Sequence, residues 1–329
     1  MLLEIKNLSV EYYRKKTVIP AVRNVSLSVE GGETLGLVGE SGCGKSTLAL
    51  SILRLIAPHE GRITSGQILF DGRNLLSLTD ENMRRVRGRE IGMVFQDPFS
   101  SLNPVLRAGE QIAESIAVQN PNLSASMIQG RSMELLRQVR LPEPERIYHS
   151  YPHQISGGQR QRVMIAIAIA NRPKLLIADE PTTALDVTVQ KEILDLLASL
   201  QKELKMTILL VTHHLGIIMR YSEQLAVLYA GEIVERGKTS GVIGNPQHPY
   251  TQSLLKSLPG RTPGKDHKKR LFMIPGAPPD PTHLPTGCPF HPRCPIAVEE
   301  CKTKIPEMRA LESLERKVSC HLSPFEKSA

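Results

Sequence analysis

A chain of 329 residues, 40% apolar and 22% charged, has the composition of a globular protein with room for one large or two smaller domains. Aromatic residues make up 4% and Trp is absent, which argues against a binder that stacks single-stranded bases. The formal charge of +8 is open to a nucleic acid, an anionic membrane surface or a polyanionic ligand as well as to solubility alone; it is scattered, its densest cluster (Lys265, Lys268, Lys269, Arg270) sits in an expected linker with no groove-reading motif, and no nucleic-acid partner is expected.

The first residues, MLLEIKNLSV, carry Glu4 and Lys6 early and lack the apolar core of a signal peptide. The longest wholly apolar run, Val163 to Ala170, is far short of the roughly 20 residues a membrane helix needs. A cytoplasmic chain is therefore expected, and its five Cys read as free thiols or ligands rather than as disulfides.

Thr34–Val38 (TLGLV) is an apolar run of strand length, as are Leu175–Ala178 (LLIA) and Thr207–Thr212 (TILLVT). Helix-length segments lie between them at Lys45–Leu55, after Ser156, and at Asp186–Leu204. Short buried strands alternating with helices predict an α/β domain with a largely parallel sheet.

Directly after TLGLV comes Gly39-Glu-Ser41-Gly42-Cys43-Gly44-Lys45-Ser46-Thr47, the pattern GxxxxGK[ST]. Its glycines let backbone N–H groups turn onto phosphate oxygens, and the helix beginning near Lys45 adds its positive end. Lys45 is expected on the β- and γ-phosphates and Ser46 on Mg²⁺, so the loop predicts a nucleoside triphosphate site.

Gln96 follows another apolar stretch, MVFQDP, and is a candidate to touch Mg²⁺ or water through its amide. Ile155-Ser156-Gly157-Gly158-Gln159 opens an apolar helix and reads as a capping box, Ser156 at the N-cap and Gln159 at N3. Two glycines in a first helical turn are costly, however, and they make sense if a phosphate must approach the bare helix start. VMIAIAIA alternates like a strand, but the cap, the alanines and the length to Asn171 predict helix. The strand LLIA then ends in Asp179-Glu180. After a phosphate loop, such a pair places Asp179 near the metal and Glu180 beside the attacking water as general base. His213 ends the strand TILLVT; a His there reads either as a donor to the γ-phosphate or as an ordinary polar strand end.

Taken together, GESGCGKST, Gln96, ISGGQ, LLIADE, the Thr183-Ala-Leu-Asp186 turn and His213 resemble the ATP-binding-cassette (ABC) family in order, over residues 1 to about 240. The resemblance implies a P-loop NTPase nucleotide-binding domain: a mixed sheet core with a helical subdomain at about 97–170. It implies ATP and Mg²⁺ as cofactors, Tyr12 (with Tyr13 a close rival) stacked on adenine, and Ser156–Gln159 serving ATP held by a second cassette. The phrases QDPFSSLNP, NPQHPYTQSLLKSLPG and GCPFHPRCPIAVEEC look more closely like the ATPase subunits of bacterial peptide (oligopeptide/dipeptide) and nickel importers. That branch implies an ATPase at the cytoplasmic face of the plasma membrane. Its partners there are a second, related ATPase subunit, two transmembrane permeases and an external binding protein. Nickel or metal-chelate import stands as the alternative in the same class, and a cytoplasmic non-transport ABC ATPase as the alternative in another. His214 departs from the branch, which usually has Asp at that position.

From Pro259 onward the chain holds 12 of its 24 prolines and four of its five Cys, so long regular elements are not expected there. The boundaries expected are an ABC domain over 1–258 and a small, loop-rich region over 259–329. Cys288, Cys294, Cys301 and Cys320 are separated by five, six and eighteen residues, a donor set suited to tetrahedral sulfur ligation but without the C-x₂-C pairs of zinc ribbons. The resemblance to the peptide-importer branch points to a [4Fe–4S] cluster, with zinc and unliganded thiols as the alternatives.

Overall fold

The structure is a computed structural model of the chain and describes residues 1–15, 17–97, 101–183, 185–258, 272–311 and 316–322. Two compact units form: the first comprises Met1–Val29, Thr34–Leu76 and Thr212–Ala329, the second Glu30–Glu33 and Ser77–Val211.

In the first unit, β1 (Leu3–Arg14), β2 (Thr17–Val29), β4 (Gly61–Phe70) and β5 (Arg73–Asn74) make an antiparallel sheet in the order β2-β1-β4-β5. Its inward side chains, among them Leu3, Ile5, Leu8 and Val10, are fully buried. Their alternation slips between Ile5 and Leu8, where the register shifts and Asn7 takes a left-handed φ of 48°. β2 lies at an edge of this sheet, which is why it accommodates Pro20.

The same unit holds a mixed sheet. β3 (Thr34–Val38) pairs in parallel with β9 (Gln224–Tyr229), and β10 (Glu232–Lys238) returns antiparallel to β9. The Pro-rich region extends that sheet: β12 (Arg316–Ser319) pairs with β10, and β11 (Met308–Leu311) with β12. Between β10 and the C-terminal region a helix spans Pro249–Lys256. Its His248 Nδ1 accepts the Tyr250 N–H at 3.0 Å, and Pro249 sits in the first turn, where its missing amide costs nothing.

The second unit is built on three parallel strands, β6 (Ile91–Val94), β7 (Leu175–Asp179) and β8 (Thr207–Thr212), β8 ending at the unit boundary. The expected strands at 34–38 and 207–212 match β3 and β8 residue for residue. β7 runs one residue further than read, through Asp179. Every residue of β7 and β8 is buried, as a sheet covered on both faces requires. The helix Gly157–Ile169 lies so close to β6 that a Cβ on Gly92 would meet the Ala168 carbonyl oxygen at 2.2 Å. Further helices span Ala108–Gln119, Ala125–Gln138 and Pro144–His149. Asp186 caps the helix Val187–Leu204, its carboxylate accepting from the Thr188 and Val189 amides at 3.0 Å each.

Among the described residues, no helix is long and apolar enough to cross a membrane. The basic cluster at 265–270 lies outside the described residues.

Candidate functional site

The phosphate loop belongs to the first unit. β3 delivers the chain to Gly39, and Gly44 caps the helix Lys45–Ile52 in a left-handed conformation with φ 106°. Neither position admits a side chain: a Cβ on Gly39 would meet the Leu228 carbonyl oxygen at 2.2 Å, and one on Gly44 the Ala21 carbonyl oxygen at 2.2 Å. Lys45 is 5% exposed, and its Nζ donates to the carbonyls of Gly39 and Glu40, both at 2.9 Å. The ammonium is thus folded into the loop, held by neutral oxygens that a phosphate would outbid on charge. Cys43 is also buried, and burial pushes its thiol up, against the pull of Lys45. Ser46 and Thr47 begin the helix, partly exposed.

Tyr12 and Tyr13 lie on β1, successive and therefore on opposite faces. Tyr13 is covered by the Arg62 guanidinium, 5.9 Å above its ring. Tyr12 stands opposite Ile19 and Gly61, and both tyrosines are partly exposed. His213 and His214 follow β8, both exposed, with ring centroids 4.9 Å apart. His214 is the N-cap residue of the helix Leu215–Tyr221.

In the second unit Gln96 and Glu180 meet. Asp179 ends β7 and is 4% exposed, whereas Glu180 is partly exposed in a left-handed conformation with φ 45°. A non-glycine residue held there carries backbone strain, which the surrounding structure sustains: the Glu180 amide donates to the Val211 carbonyl at 2.9 Å. Its Oε2 accepts from Gln96 Nε2 at 3.2 Å and from Thr183 Oγ1 at 2.9 Å. Sequence reasoning singled out Gln96 but gave Thr183 no role of its own. The only signal was its spacing of three residues, which turns a hydroxyl back onto Glu180.

The capping box forms as read: Gln159 N–H donates to Ser156 Oγ at 3.3 Å, and Ser156 N–H to Gln159 Oε1 at 3.0 Å. Ser156 is exposed at the helix start. Gly158 has a packing reason beside the expected one, because a Cβ there would come within 2.8 Å of Val189 Cγ1.

In the C-terminal region, Cys288, Cys294, Cys301 and Cys320 are all unpaired thiols. The Cys288 N–H donates to the Cys301 carbonyl at 2.8 Å. Burial first, and then the neighbouring Cys301, Cys320 and Cys294, push the Cys288 thiol up to about 11. Burial likewise raises Cys294 and Cys320. The four sulfurs thus lie within electrostatic reach of one another. Even so, among the described residues no three His, Cys, Asp or Glu side chains are gathered closely enough to hold a metal ion.

Comparison with known proteins gives two family matches: ABC transporter over residues 22–183, and the C-terminal region of the oligopeptide/dipeptide transporter family over residues 234–301. A dipeptide transport ATP-binding protein of Haemophilus influenzae is 46% identical over 97% of this chain and 95% of its own length. An oligopeptide transport ATP-binding protein of Bacillus subtilis is 44% identical over 98% and 96%. Among solved structures, a dimeric post-hydrolysis ATP-binding cassette bound to ADP and Pi superposes with a TM-score of 0.65 at 33% identity, covering 72% of this chain and 98% of that one.

Proposed function

The chain belongs to the ABC transporter family of ATP-hydrolysing cassettes, which work with ATP and Mg²⁺, and on that premise we propose that it powers the import of di- or oligopeptides. The observation that carries this reading is the match of residues 234–301 to the oligopeptide/dipeptide C-terminal region, joined to a cassette with every hydrolytic motif in place.

In this reading the chain divides into an ABC domain over 1–258, with its helical subdomain at about 97–170, and a C-terminal region over 259–329. Tyr12 stacks on adenine, the N–H groups of Gly39–Thr47 and the Lys45 ammonium hold the phosphates, and Ser46, Gln96 and Asp179 serve Mg²⁺. Glu180 takes the proton of the attacking water, and His213 donates to the γ-phosphate. Ser156–Gln159 present an open helix N-terminus to ATP bound by a second ATPase subunit, so a pair of cassettes, most simply a heterodimer, is the smallest working unit. Two permeases and an external binding protein complete the assembly, with this chain peripheral on the cytoplasmic face. No nucleic acid takes part.

Co-purifying the chain with its permeases and reconstituting the assembly in vesicles with ATP inside tests the reading. Peptide-loaded binding protein should stimulate hydrolysis and peptide uptake together. Stimulation by a nickel chelate and not by peptides would replace the peptide assignment.

For the four thiols we infer a [4Fe–4S] cluster. The donor set fits soft, thiolate-bound iron, and the burial of Cys301 and Cys320 supports it. When bound, the group would cross-link a region poor in regular structure; the chain's own part is to surrender its thiol protons and hold the sulfurs in place. Anaerobic purification should give brown protein, and Cys288→Ser should lose both colour and iron. Colourless protein with stoichiometric zinc would sink the cluster.

A further inference from the structure

The phosphate loop is held from behind by the C-terminal region. Glu40, its second residue, receives a two-pronged grip: Arg293 Nη1 lies 2.7 Å from one carboxylate oxygen and Nη2 2.9 Å from the other. The Arg293 side chain is 5% exposed, so this is an ion pair largely shielded from solvent, with the fork geometry that suits Arg rather than Lys. The guanidinium is itself anchored, Nε donating to the Pro275 carbonyl at 2.9 Å and Nη1 also to Tyr229 Oη at 3.3 Å.

Glu40 is gripped at two further atoms. Its N–H donates to Tyr250 Oη at 3.0 Å, and its carbonyl is one of the two that hold the Lys45 ammonium. Tyr250 and Tyr229 are buried with Phe290, their ring centroids 4.5 Å apart and 5.4 and 5.2 Å from the Phe290 ring. Phe290 and Arg293 share one short turn, the Arg293 N–H donating to the Phe290 carbonyl at 3.0 Å, and Cys288 and Cys294 flank it. Beside the loop lies a small, mostly apolar cavity of about 150 Å³, lined by Glu40–Cys43 and by Pro278, Pro279, Pro281 and Leu284 among others. A loop released by Arg293 has room to shift there and little polar surface to receive the Glu40 carboxylate.

We propose that Arg293 is a positioning residue for ATP: through Glu40 it fixes the phosphate loop and the rest position of Lys45, so the C-terminal region sets the chain's affinity for nucleotide. This makes that region part of the ATP site's support rather than an appendage. The inference needs only ATP binding at the loop and is independent of any cluster.

The test is the affinity of the full chain for ATP–Mg²⁺, measured with the melting midpoint of each variant. Arg293→Met and Glu40→Gln should each weaken ATP binding about tenfold or more, the size of a lost charged hydrogen bond. The double variant should be no worse than either single one, since both break the same link. Arg293→Lys, keeping charge but not the fork, should fall between. Unchanged ATP affinity in Arg293→Met, even with a lowered melting midpoint, would reduce the pair to an anchor for the tail and overturn the proposal. Losses that multiply in the double variant would overturn it equally. Should Arg293→Met fail to fold, Arg293→Lys and Glu40→Gln with their double variant carry the same comparison.

Discussion

Replacing Glu180 with Gln is expected to slow ATP hydrolysis by about 10²–10⁴-fold, the usual contribution of a positioned general base, while leaving ATP bound. The substitution keeps the shape of the side chain. Gln retains one oxygen to accept from Gln96 and Thr183, the two donors that meet on Glu180 Oε2 at 3.2 and 2.9 Å. What it loses is the ability to take up a proton. The left-handed backbone at φ 45° is set by the Val211 pairing and the turn to Thr183, neither of which the amide disturbs. Nucleotide trapped in the variant should therefore be ATP rather than ADP. The trapped form should also run as a pair of cassettes on size exclusion, because the open N-terminus at Ser156 has a second subunit's phosphate to meet. Unaltered turnover would remove Glu180 as the base and shift attention to His213.

The parts of this site that were legible in the sequence are those fixed by neighbours in the chain. β3 and β8 announce themselves because buried parallel strands are continuous apolar runs, and the Ser156 cap because a side chain and an amide three residues on satisfy each other. The antiparallel sheet was not legible. Its β1 alternation is broken by the shift around Asn7, and Pro20 argues against a strand unless one knows that β2 is an edge. The helix at 249–256 hides behind Pro246 and Pro249, the second of which sits at a helix start. Arg293 and Glu40 are 253 residues apart, and nothing local in HPRC or GESG announces the pairing. The Pro-rich region supplies β12 and, outside it, the edge strand β11, both of which Pro density concealed.

The largest stability effect is expected at Arg316, where β12 of the Pro-rich region is pinned beside β10. Arg316 and Glu235 are both fully buried at their side chains, with Arg316 Nη1 lying 3.6 Å from Glu235 Oε1. Nη1 also donates to the carbonyls of Gly241 at 2.8 Å and Asn245 at 2.6 Å. The Glu235 carboxylate accepts from the Gln247 and His248 amides at 2.8 and 2.9 Å. Burial is the leading influence on both groups, raising the Glu235 carboxyl and lowering the Arg316 guanidinium. Among the described residues, Nε and Nη2 of Arg316 meet no partner. The pair is therefore a poor source of net stability while intact, yet costly to break. Arg316→Met leaves a buried carboxylate without its cation and should cost about 3–5 kcal/mol in denaturant unfolding at pH 8.

The loss should shrink with acidity. Glu235 holds its proton more tightly folded than unfolded, so its stabilising contribution is complete below about 4.5 and falls as pH rises through the raised folded value. Removing the Arg316 charge raises that value further and widens the window. The variant's deficit should thus be smaller at pH 5 than at pH 8, and in Arg316→Met, Glu235→Gln, which has no carboxyl to titrate, it should not change with pH. A deficit in Arg316→Met that is the same at both pH values would mean that the cost comes from lost packing and not from the stranded charge.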